Sequence, residues 1–128
     1  MMILKKISIE KIPSYGPYST CVLVDNFLFV SGQIAIDFKT GKLVFDSIEI
    51  ETRKIMENLK FILKENGLHF KNVIKTSIFV KNMNHFSKIN EVYSEFFHKN
   101  DFPARETIQI SGLPKNANIE ISLIAYKN

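Results

Sequence analysis

Two stretches of this chain are apolar on both of the faces that a β-strand can present, and this constrains the fold more than any other feature. Val22-Leu23-Val24 and Phe27-Leu28-Phe29-Val30 flank Asp25-Asn26, a pair that tolerates the left-handed backbone of a tight turn, so two hairpin strands are predicted there. Side chains alternate between the faces of a strand, yet both alternate sets in these runs are largely apolar. The run from Asn118 to Tyr126 poses the same problem. Ile119, Ile121, Leu123 and Ala125 form one face, while the opposite face still holds Ile124 and Tyr126 beside Glu120. A sheet built from such strands needs cover on two sides.

Helical periodicity supplies cover for one of them. From Ser47 to Asn66 the residues Ile48, Ile55, Leu59, Ile62 and Leu63 fall on one stripe, and Gly67 stands where a helix stops. A strand is expected over Val73–Val80. A second helix is expected from about Asn84 to His98, with Phe86, Ile89, Tyr93, Phe96 and Phe97 on its apolar side. The last strands are placed at about Glu106–Ile110 and Ile119–Tyr126, joined through Gly112-Leu113-Pro114, and Lys39-Thr40-Gly41-Lys42 marks a further turn. Hairpins together with helix-linked strands give an α+β mixed sheet with two helices on one face. The second apolar face then predicts another layer, which in a chain this short comes from a further copy of itself.

Length and composition narrow the function classes. The 128 residues suit one domain spanning 1–128, and a 45% hydrophobic, 23% charged composition is that of a globular protein. No apolar run approaches the roughly 20 residues of a membrane span, and Lys5-Lys6 interrupts any signal-peptide core. Cys21 is the sole cysteine, which excludes an internal disulfide framework and a multi-cysteine zinc site and fits a reducing, cytoplasmic compartment. The net charge of +4 is spread over scattered lysines with no basic stripe, so neither a nucleic-acid partner nor a membrane is expected.

Within that lysine-rich surface, only Arg53 and Arg105 of the 17 Lys and Arg residues are arginines. Arg105 ends Phe102-Pro103-Ala104-Arg105, and its planar fork can hold a carboxylate through two parallel hydrogen bonds. Glu120 adds a carboxylate on what is expected to be a neighbouring strand, so the two could form a site for a small acidic molecule or an ordinary surface ion pair. Tyr18, in the turn Gly16-Pro17-Tyr18-Ser19, presents a hydroxyl or packs over the core edge. Gly32, in Ser31-Gly32-Gln33, marks a close approach of a ligand to the backbone or a bulge. Asn90 lies on the second helix, as a site residue or as a boundary position bonded to a loop. His69, His85 and His98 are isolated in sequence, so no metal set is read from them, and Cys21 is read as a buried structural thiol.

Gly16-Pro17-Tyr18-Ser19, Ser31-Gly32-Gln33-Ile34, Thr40-Gly41, Ile89-Asn90-Glu91-Val92-Tyr93, Phe102-Pro103-Ala104-Arg105, Leu113-Pro114-Lys115 and Ile119-Glu120-Ile121, in this order, closely resemble the Rid (YjgF) family of reactive intermediate deaminases. The resemblance runs from about Ile3 to Tyr126. It implies a chorismate-mutase-like α+β subunit in a homotrimer, with sites in the clefts between subunits. It also implies cofactor-independent hydrolysis of 2-imino acids, such as 2-iminobutanoate and 2-iminopropanoate, to 2-oxo acids and ammonia. On this resemblance Arg105 would grip the substrate carboxylate, and Glu120 would hold and deprotonate a water, kept ionised by the nearby arginine. Tyr18, Ser31, Gly32, Asn90 and Thr107 would complete the substrate pocket. Many members carry Cys where this chain has Thr107, and the segment between Phe97 and Pro103 is shorter than in close relatives. Two alternatives stay open: an RNA-cleaving translational inhibitor, and a non-catalytic sensor or holdase for small carboxylates.

Overall fold

The computed structural model describes residues 2–128. One six-stranded sheet has the order β1-β2-β3-β6-β4-β5. Its strands are β1 (Leu4–Ile7), β2 (Cys21–Val24), β3 (Phe27–Gln33), β4 (Val73–Val80), β5 (Ala104–Gln109) and β6 (Ile119–Tyr126). All neighbours are antiparallel except β4 and β5. A parallel pair cannot be joined by a tight turn, and helix α2 (Phe86–Ser94) makes the crossover between them. Helix α1 (Ile48–Glu65) packs beside α2 on the same side of the sheet, giving the expected α+β architecture.

Local chemistry sets the limits of α1. The Ser47 hydroxyl accepts the Ile50 N–H at 3.1 Å, which satisfies one of the free donors of the first turn. At the other end Gly67 takes φ +72°, a left-handed conformation that glycine adopts without strain. Its N–H reaches the Lys64 carbonyl at 3.0 Å and the Leu68 N–H reaches that of Leu63 at 2.8 Å, which closes the helix. Between these caps Ile55, Met56, Leu59, Ile62 and Leu63 are wholly buried, in one core with Leu28, Ile78 and Ile121 of the sheet.

Four boundaries differ from the sequence reading. Leu4–Ile7 forms an unforeseen edge strand, paired only with β2, where the side chains of Lys5 and Lys6 remain exposed. Helix α2 stops at Ser94, not His98, because the chain turns so that the adjacent Phe96 and Phe97 both reach Phe70, with ring centres 5.6 and 5.2 Å away. On a continuing helix, consecutive side chains would diverge. Strand β5 begins at Ala104, immediately after Pro103, so Arg105 lies inside the strand and not ahead of it. Strand β3 runs on through Gln33, and its register against β6 shifts between Val30 and Gln33, which makes Ser31-Gly32 a bulge.

The two faces of the sheet are unequally covered. Along β6, Ile119, Ile121, Leu123 and Ala125 are buried under the helices, whereas Glu120, Ser122, Ile124 and Tyr126 point the other way and are half-buried or exposed. On that open face Phe27 packs edge-on against Tyr126 at 5.0 Å, beside Phe29. Phe27, Phe29 and Tyr126 remain 39%, 43% and 38% exposed. The expected second apolar face is therefore present, and no element of this subunit covers it. Among the described residues no helix is long and apolar enough to cross a membrane.

Candidate functional site

Strand register decides where the charged residues stand. Glu120 pairs with Phe79 on β4, while Arg105 pairs with Thr76, whose partner on β6 is Leu123. Directly paired residues share a face, and Leu123 is an odd number of residues from Glu120. Arg105 therefore lies on the helix-covered face and Glu120 on the open one. Three residues along β6 and two strands across place their Cα atoms roughly 14 Å apart. Neither ion pair among the described residues, Arg53–Glu95 at 2.9 Å and Lys75–Glu106 at 3.2 Å, includes Arg105 or Glu120. Within one subunit the surface-pair reading is thus excluded, and so is a joint site.

The sequence-predicted residues divide into two half-sites. In the first, Glu120, Gly32 and Tyr18 line a cavity of about 30 Å³, together with Tyr15, Thr20 and Gln33. That volume holds one or two waters. The bulge makes room for the carboxylate: a Cβ on Gly32 would stand 2.5 Å from Oε2 and 2.6 Å from Cδ of Glu120. Both readings of Gly32, a bulge and a close approach, describe one feature, and what approaches is Glu120 itself. Ser31 does not line the cavity. Its hydroxyl donates to the Ser19 carbonyl at 2.7 Å and its N–H to that of Thr20 at 2.9 Å, tying the bulge to the segment before β2. Tyr18 is 46% exposed, so it does not pack over the core edge.

Burial pushes the Glu120 carboxyl above the ordinary carboxylate range. Within one subunit Arg105 lies on the other face and does not offset this burial. The start of β6 is fixed by a residue that sequence reasoning missed. The Glu51 carboxylate, wholly buried on α1, accepts the backbone N–H and the side-chain amide of Asn118, both at 2.9 Å. An acidic residue in a helix's first turn ordinarily signals only a favourable end charge.

The second half-site surrounds Arg105. Asn90, Tyr93, Phe102 and Pro103 line a pocket of about 280 Å³ with it. The guanidinium carbon lies 5.0 Å from the centre of the Tyr93 ring and 5.5 Å from that of Phe86. The Tyr93 hydroxyl is 2.8 Å from that of Thr76. Asn90 Oδ1 and Thr107 Oγ1 are both buried without a hydrogen-bond partner, the only such side-chain atoms among the described residues. Asn90 is therefore not a boundary residue bonded to a loop. Thr107 follows Arg105 by two residues on the same face of β5. Phe86 and Tyr93 lie on the expected apolar side of the helix, and the signal that marks them is their spacing with Asn90, at i, i+4 and i+7.

The remaining candidates fall elsewhere. Cys21 is buried, and burial raises its thiol pKa against the lowering effect of the Asn66 amide 3.7 Å away. A structural thiol fits that position. His69 and His98, isolated in sequence, line one groove of about 610 Å³ with Lys60, Lys64 and Lys71. No group of three or more possible metal ligands forms among the described residues.

A family model described as endoribonuclease L-PSP matches residues 8–127. The chain belongs to that family, which includes the Rid, YjgF and RutC proteins. A RutC family protein of Pyrococcus abyssi is 46% identical over 119 residues, covering 92% of this chain and 93% of its own. Human 2-iminobutanoate/2-iminopropanoate deaminase is 41% identical over 127 residues, covering 98% of this chain and 92% of its own. The crystal structure of the Rid family protein YyfA from Yersinia pestis superposes with a TM-score of 0.91 at 38% identity, over 97% of this chain and 99% of that one. The α+β fold with two helices on a mixed sheet is thus the fold of Rid proteins.

Proposed function

We propose that this protein hydrolyses small 2-imino acids to 2-oxo acids and ammonia, at sites completed between copies of the chain in a homotrimer. One observation carries the reading: Arg105 faces a pocket with no carboxylate to neutralise it and with the unpartnered Oδ1 of Asn90 beside it. A free guanidinium takes an anion, and an orphaned amide oxygen takes an N–H donor. A protonated 2-imino acid carries both groups one carbon apart. The deaminase name of the human relative supports the same chemistry.

The two half-sites divide the work. Arg105 binds the substrate carboxylate through two hydrogen bonds and fixes its orientation, which lowers the entropic part of the barrier. Asn90 Oδ1 accepts from the iminium nitrogen. Glu120 from another copy holds one water in its small cavity. As the water oxygen bonds to the imine carbon, the carboxylate takes one water proton and returns it to the nitrogen. As the C–N bond then breaks, the remaining hydroxyl proton passes to the carboxylate while the C=O forms, and is given up to the departing ammonia. The products are the 2-oxo acid and ammonia. A carboxyl raised by burial is a stronger base once ionised, and the apolar open face gives the copies a surface on which to associate.

The test is hydrolysis of 2-iminobutanoate generated by an amino-acid oxidase, in competition with semicarbazide trapping. Wild type should outrun the trap, while Arg105→Lys and Glu120→Ala, folded and with unchanged oligomeric state, should not. A wild-type rate no greater than that of buffer would overturn the reading and leave a carboxylate sensor or holdase in its place. The RNA-cleaving alternative has one observation in its favour, the groove that gathers two histidines and three lysines. RNA cleavage lost on His69→Ala and His98→Ala, and retained in Arg105→Lys, would establish it.

A further inference from the structure

We infer that Phe86 and Tyr93 are positioning residues for Arg105: two aromatic rings, in place of a carboxylate, aim its guanidinium at the ligand. The inference rests on the reading of Arg105 as the group that binds the substrate carboxylate. An arginine side chain is long and flexible, and bidentate recognition needs its fork in one orientation. An acidic partner is the common way to hold it. Such a partner would occupy N–H donors and cancel the charge that the ligand needs. Here the guanidinium carbon lies within 5.0 and 5.5 Å of two ring centres, and neither ion pair among the described residues involves it. The ring faces attract the cation through their quadrupole and use none of its five N–H donors.

The rings are themselves held. Phe86, Asn90 and Tyr93 occupy one face of α2 at i, i+4 and i+7, so a single helix face carries both rings and the orphaned amide. Tyr93 is 4% exposed, and its hydroxyl is 2.8 Å from that of Thr76. Thr76 is the residue directly opposite Arg105 in the β4–β5 register. The strand that sets the position of Arg105 therefore also anchors the ring it stacks on. Phe86, 40% exposed, is the jaw that can be altered without opening the core.

The experiment compares wild type, Phe86→Leu and Phe86→Tyr by two independent readouts. In the first, the Arg105 Hδ resonances are assigned by NMR and their ring-current shifts measured. Phe86→Leu should move them towards unstacked positions and Phe86→Tyr should not. In the second, KM for 2-iminobutanoate and Kd for 2-oxobutanoate should rise roughly fivefold in Phe86→Leu and recover in Phe86→Tyr. Unmoved Hδ resonances would overturn the inference, as would a moved shift with unchanged KM and Kd. If wild type hydrolyses no imine, the deaminase reading falls by itself, and the Hδ shifts with 2-oxobutanoate Kd still decide whether the rings position Arg105.

Discussion

The two faces of the sheet are made from the same strands and differ in what covers them. On the helix side, Leu28, Ile78, Ile119 and Ile121 are wholly buried in a core that closes within one subunit. On the other side, Phe27, Phe29, Tyr126 and Ile108 stay between 38% and 45% exposed, although they are as apolar as their buried neighbours. Each face also holds one half of the candidate site, with Arg105 under α2 and Glu120 beside the Gly32 bulge. The covered face maintains the fold, while the open face is available for assembly. On the proposed reading, a site split between them would link catalysis to association.

Substituting the open face should break this comparison most visibly. Phe29→Glu places a charge on the exposed apolar patch and should leave a folded subunit, by circular dichroism, that light scattering finds monomeric. Turnover should vanish with the assembly. An active oligomer of Phe29→Glu would show that the open face is not the interface. Gly32→Ala acts at the bulge alone. Its Cβ meets the Glu120 carboxylate, which must move, and a displacement near 1 Å should lower kcat about 100-fold with oligomeric state unchanged.

The helix side should respond in stability. Ile121→Ala removes a wholly buried side chain and should cost about 3 kcal/mol in urea unfolding. KM should change little, because Ile121 lines neither half-site. A large KM change there would mean that the faces are less independent than the structure places them.

The smallest effect sharpens the comparison through pH. Burial raises the folded-state pKa of Glu120 above its ordinary 4.5, so the folded protein holds that proton more tightly than the unfolded chain does. The stability this gives is full below pH 4.5 and is lost as pH rises through the folded value. At neutral pH the ionised carboxylate therefore costs stability. Glu120→Gln should raise Tm modestly at pH 7, and the advantage should disappear below pH 4.5. An unchanged Tm at pH 7 would show that burial of this group in the subunit is offset elsewhere.

Much of the fold was legible because its signals are local. The Asp25-Asn26 turn, the α1 stripe with Ser47 and Gly67 at its ends, and the two-sided apolarity of β3 and β6 all lie within short windows of sequence. Strand β1 was not legible, since Leu4-Lys5-Lys6-Ile7 becomes a strand only by pairing with β2. The end of α2 was missed for a related reason: Phe96 and Phe97 continue an apolar pattern, and only Phe70, far away in sequence, turns them out of the helix.

The sequence by itself determined which residues are chemically equipped, namely a rare arginine, a carboxylate within a strand, a glycine at a bulge and a motif order that marks the family. Only the tertiary structure decided that Arg105 and Glu120 face opposite ways and that aromatic rings, not an acid, surround the arginine. The physical reason is register. Which face a side chain takes depends on pairing across β5, β4 and β6, and the irregular turn around Pro114–Asn116 erases any alternation that could be counted from one residue to the other.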